Sequence, residues 1–125
     1  MDERKLAAAG AVLLMIGVGA GAFGAHGLKR FIQPDMLAVW QTAVLYQLVH
    51  GLGLLLTALL AAHYSTPLFK RAGAVMLAGV LIFSVSLYAL VLSGAKWLGA
   101  ITPLGGMAFI IAWAMVAVAA WRCSK

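Results

Sequence analysis

Four apolar runs, set apart by short polar segments, limit what this chain can fold into. They fall at about residues 6–25, 39–62, 72–92 and 104–121. Each holds about 18 to 24 residues, enough at roughly 1.5 Å per residue to cross a hydrocarbon layer roughly 30 Å thick. No water reaches the backbone there, so a crossing segment must satisfy its own N–H and C=O groups, which a helix does. The expected fold is all-α: a single polytopic membrane domain over residues 1–125, built as a four-transmembrane-helix bundle with a short interfacial segment after helix 1.

Composition agrees with a chain whose solvent is mostly lipid. Hydrophobic residues make up 65% and charged residues only 10%, against roughly 25% charged in an ordinary soluble domain. The net charge of +6 comes from 9 basic and 3 acidic residues, and the basic ones fall in ones and twos between apolar runs. They form no tract of the kind that neutralises phosphates along a nucleic acid, and read instead as anchors at anionic lipid headgroups. A lone cysteine, Cys123, excludes an internal disulfide and a thiolate metal cluster. The first run follows Arg4 and Lys5 but is longer than the core of a signal peptide, so it is read as a retained span.

Four spans place both termini on one side. That side carries Arg4, Lys5, Lys70, Arg71, Arg122 and Lys125, and the other carries Lys29, Arg30 and Lys96. The bias favours cytoplasmic N- and C-termini. The first loop, about residues 26–38, mixes Leu28, Phe31 and Met36 with Lys29, Arg30 and Asp35 and reads as the interfacial segment, helical after Pro34. Pro103 suits the first turn of span 4, with Thr102 as its N-cap.

Span 1 ends in GVGAGAFGAHG, residues 17–27. Gly17, Gly21 and Gly24 share one face and offer a helix-packing seam, and Ala108 and Ala112 repeat the small-residue spacing in span 4. The seam fits a partner span in this chain or in a neighbouring copy, so a homo-oligomer or an unidentified membrane partner stays open. The polar residues within the spans are few. Gln41, Gln47 and His50 lie on span 2, with His50 about 16 Å in, Ser84, Ser86 and Tyr88 lie on span 3, and His26 and Thr102 sit at the same end as Gln41. An unsatisfied polar group costs several kcal/mol in hydrocarbon, so these side chains should turn inward. Two readings follow. In one, His26, Gln41, Gln47, His50, Ser84, Tyr88 and Thr102 line a polar pocket for a small or lipidic ligand. In the other, the same groups only bond helices to one another.

Other chemistry finds little support. His26 and His50 lack the further ligands a zinc site needs, so no metal or cofactor is expected. No acidic residue lies inside a span, and no serine, histidine and acid set shares a depth, so no catalytic residues are assigned.

Five ordered blocks carry a resemblance: GAFGAHGLK, WQTAVLYQLVH, LFKRAG, FSVSLYAL and LGAITPLGGMAFIIAW. Together they resemble the small bacterial inner-membrane family known as domain of unknown function 423, related to transmembrane protein 256. The resemblance implies a multi-pass protein of the bacterial inner (plasma) membrane and no particular activity. The expected function is binding of a small or lipidic ligand in a polar intramembrane pocket, in transport or envelope maintenance. The alternatives are a structural or accessory subunit of a larger membrane assembly and, behind it, a membrane enzyme.

Overall fold

The computed structural model describes residues 1–123; Lys125, counted above with the terminal side, lies outside them. Four long helices follow one another: α1 (Glu3–His26), α2 (Pro34–His63), α3 (Pro67–Ser93) and α4 (Thr102–Arg122). Each is long and apolar enough to cross a membrane, and together they make an all-α four-helix bundle.

The ends of the helices have local causes. Asp2 caps α1 by accepting the Lys5 N–H at 2.8 Å, and that bond holds its carboxyl below the ordinary carboxylate range. Thr66 caps α3, where Pro67 supplies a preset first-turn dihedral. Gly94 ends α3 at φ 73°, a left-handed conformation that a side chain would strain. Pro34 opens α2, and Gln33 before it is extended, as the residue preceding a proline prefers. Helix α2 therefore starts ahead of its membrane span, and Met36 and Leu37 belong to its first turn. The interfacial segment shrinks to a 3-10 turn, Leu28–Arg30, and a bend. Thr102 differs from expectation: α4 begins at Thr102 with Ile101 in the capping position. Its hydroxyl is engaged elsewhere, 2.6 Å from that of Ser86 on α3.

Helices α2 and α3 form the middle of the bundle. α1 packs along α2 and touches α3, while α4 packs along α3. All four meet in one apolar cluster that includes Leu6, Leu13, Leu54, Met76, Val80 and Phe109. A second cluster, Leu28, Trp40, Val44 and Val91, closes the end bearing the first and third loops. A third, Ala61, Phe69 and Ala119, closes the terminal end. There Lys70 Nζ meets Glu3 Oε2 at 3.3 Å, tying the start of α1 to the start of α3.

Candidate functional site

Since lipid tails are as apolar as leucine, helices in a bilayer need close backbones or hydrogen bonds to stay together. The glycines of α1 provide the first. A Cβ added at Gly24 would stand 2.6 Å from Trp40 Cδ1, one at Gly17 2.8 Å from Leu48 Cδ2, and one at Gly21 3.3 Å from Val44 Cγ1. Gly10 extends the line, with a Cβ there only 2.8 Å from the Gly51 carbonyl oxygen. The partner of this seam is α2 of the same chain. On α4, Ala112 is fully buried in the four-helix cluster and Ala108 is half-buried.

Most of the polar residues singled out in the spans bond one helix to another. Gln47 is buried on α2; its Nε2 donates to the Leu13 carbonyl of α1 at 2.8 Å, and its Oε1 accepts the Tyr88 hydroxyl of α3 at 2.6 Å. Ser84 donates to the Ala43 carbonyl of α2 at 2.8 Å. Ser86 meets Thr102, which joins α3 to α4. His26 and Gln41 are exposed at the end bearing the first loop. The structure therefore brings together Gln47 and Tyr88, with Ser84 bonding the same pair of helices. It sets His50 apart toward α4, and leaves Thr102 at the α3–α4 contact.

His50 has a different setting. Trp113 Nε1 is 3.0 Å from His50 Nε2, and an indole N–H can only donate, so Nε2 accepts. The ring proton then sits on Nδ1, which donates to the Tyr46 carbonyl at 2.8 Å. One ring face stacks on Phe109 with centroids 3.6 Å apart. Beside it, on the outside of the bundle, α2, α3 and α4 leave a groove of about 540 Å³. Tyr46, His50, Phe83, Phe109 and Trp113 give it aromatic walls, and Pro103, Gly106, Met107 and Ile110 line the α4 side. Tyr46 and Phe83 lie 4.5 Å apart between centroids. Gly106 keeps the groove open: a Cβ there would meet nothing within 4 Å, whereas one at neighbouring Gly105 would stand 2.5 Å from the Phe83 backbone nitrogen.

Sequence reasoning missed Trp40 and Trp113 as bond donors. Trp40 Nε1 donates to the Ala20 carbonyl at 2.8 Å, over Gly24. A signal existed, because an indole N–H placed in hydrocarbon needs an acceptor. Tyr46 and Phe83 were missed as groove walls.

Long apolar helices joined by buried side-chain bonds define a multi-pass helical membrane protein. The chain belongs to a family described as "Protein of unknown function (DUF423)", whose model matches residues 20–106. It is similar to the UPF0382 membrane protein YwdK of Bacillus subtilis, 50% identical over 112 residues that cover 89% of this chain and 91% of the relative. It is also similar to UPF0382 membrane proteins of Staphylococcus aureus, 46% identical over 113 residues, and Staphylococcus haemolyticus, 42% identical over 113 residues; each alignment covers 90% of this chain and 92% of the relative. No solved structure matches the chain.

Proposed function

We propose that this protein binds a lipidic ligand without transforming it, and that the site is the groove between α2, α3 and α4 beside His50. The observation that carries this reading is an aromatic-walled space of about 540 Å³, within the roughly 300–1,000 Å³ range of small-molecule sites. Along α4 it runs from Pro103 at the helix start to Trp113. That is about 15 Å at 1.5 Å per residue, the depth of one leaflet. One hydrocarbon chain fits this length, and the groove opens sideways, where such a chain arrives. Of the polar residues named from the sequence, His50 lines the groove. Gln47, Ser84 and Tyr88 keep the helices that form the bundle in register. With the termini in the cytoplasm, as the basic residues favour, the groove lies in the outer half of the membrane and could serve transport or envelope maintenance.

Native mass spectrometry from mild detergent tests this. The wild-type protein is expected to retain a lipid that Gly106→Leu loses, with helix content and melting temperature unchanged. Equal retention by both proteins would overturn the reading. A second reading, a subunit that packs on a second copy or another membrane chain, is favoured by the outer side of α1. Ala8, Ala11 and Ala22 are exposed there, and a Cβ at Gly19 would meet nothing within 4 Å. The same spectra report subunit number and decide it.

A further inference from the structure

A second groove lies between α1 and α2 at the terminal end of the bundle. Its volume is about 380 Å³, and its walls include Arg4, Ala7, Leu55, Ala58, Leu59 and Ala62. Leu55, Ala58, Leu59 and Ala62 sit close to half a turn around α2 from Tyr46 and His50, at 100° per residue. The two grooves therefore occupy opposite faces of α2 and opposite halves of the membrane, and this one is independent of the site proposed above.

Its charges are arranged unequally. Glu3 also borders the groove, but its carboxylate is paired with Lys70 at 3.3 Å. Asp2 is occupied in capping α1 through the Lys5 N–H. Arg4 has no carboxylate within 4.0 Å among the described residues. It also borders a shallow concavity of about 280 Å³ that it shares with Asp2, Lys5 and Ala8. Counting this end of the described chain, Arg4, Lys5, Lys70, Arg71 and Arg122 face Asp2 and Glu3, an excess of three positive charges. A free guanidinium thus stands at headgroup level above a slot floored by alanines, which descends about 10 Å from Ala62 to Leu55.

The geometry points to a site for one anionic phospholipid, its phosphate on Arg4 and the upper part of one acyl chain in the slot along Ala7, Ala58 and Ala62. Arginine suits the head because its planar fork meets two phosphate oxygens at once. Arg4 and the positive excess at this end favour a headgroup with a net negative charge over a zwitterion. A second transmembrane helix in the same slot would have to cover Arg4 with apolar surface and leave its charge unmatched.

The full chain, reconstituted in vesicles of equal phosphatidylglycerol and phosphatidylcholine and extracted in mild detergent, tests the site by the lipids it carries. The wild type is expected to enrich phosphatidylglycerol over phosphatidylcholine by about fivefold or more, the scale of one basic residue near a charged surface. Arg4→Gln should bring that ratio close to one. Ala62→Leu, at an exposed position, should lower the total lipid carried by filling the slot. Unaltered enrichment in Arg4→Gln would overturn the assignment. So would a dimer that Ala62→Leu splits while the bound lipid stays the same, since a second copy would then hold the slot.

Discussion

The two sides of α2 are held in opposite ways. Along the glycine seam toward α1 the backbones nearly touch: a Cβ at Gly10 would stand only 2.8 Å from the Gly51 carbonyl oxygen, and the Trp40 indole lies over Gly24. Toward α4 the contact is made by rings and one hydrogen bond, Trp113 to His50 at 3.0 Å, with an open groove beside it. A seam of glycines excludes ligands because nothing larger than hydrogen fits. A contact spanned by aromatic side chains leaves space between them. In a solvent that supplies no hydrophobic drive, the first arrangement holds the fold and the second can carry a site.

The sharpest way to break this contrast is Gly10→Leu, which must push α1 off a backbone carbonyl that cannot turn away. A loss of about 3 kcal/mol or more is expected in reversible unfolding from detergent, and a loss under 1 kcal/mol would mean that the seam yields. Gln47→Leu comes next. It removes bonds to α1 and α3 together and strands the Tyr88 hydroxyl, for an expected cost of about 1 to 2 kcal/mol by the same measurement. Trp113→Phe keeps one aromatic ring, removes the bond to His50 and loses part of the indole's packing, so it should cost about 1 kcal/mol and leave the groove in place.

Smallest of all is the cap on α1. The Asp2 carboxyl is lowered in the folded protein by the Lys5 N–H, so its contribution is present above the unfolded value and is lost as pH falls through the folded one. A slight drop in melting temperature is expected below about pH 4, and Asp2→Ala should reduce that pH dependence to the share left by Glu3, whose carboxyl its own backbone N–H and then Lys70 also hold low.

Much of the fold was legible in the residues. The long apolar runs mark the four crossings, the prolines at 34, 67 and 103 stand in first turns, and Gly17, Gly21 and Gly24 face one neighbour. Gly10 was also within reach, since Gly10, Gly17 and Gly24 repeat every seven residues. The candidate site was far less legible. Gln47 and Ser84 stand out as polar residues in hydrocarbon, yet their acceptors are the backbone carbonyls of Leu13 and Ala43. Every residue has a carbonyl, so no sequence signal marks those two. Thr102 has the chemistry of a cap and is held instead by Ser86 on another helix. The groove depends on what Gly106 lacks, and the sequence cannot distinguish a glycine that admits a neighbour, such as Gly105, from one that leaves a gap.

The central claim is that a lipid chain settles beside His50 in preference to the outer side of α1. Phospholipids with a photoactivatable diazirine on the acyl chain test this directly once the labelled residues are mapped by mass spectrometry. Met107 at 56% and Ile110 at 65% exposure are matched by Met15 at 68% and Val18 at 65% on the outer side of α1. Labelling concentrated at Met107, Ile110 and Trp113, and lost in Gly106→Leu, is the expected result. Labelling spread evenly over Met15, Val18, Met107 and Ile110 would contradict the account.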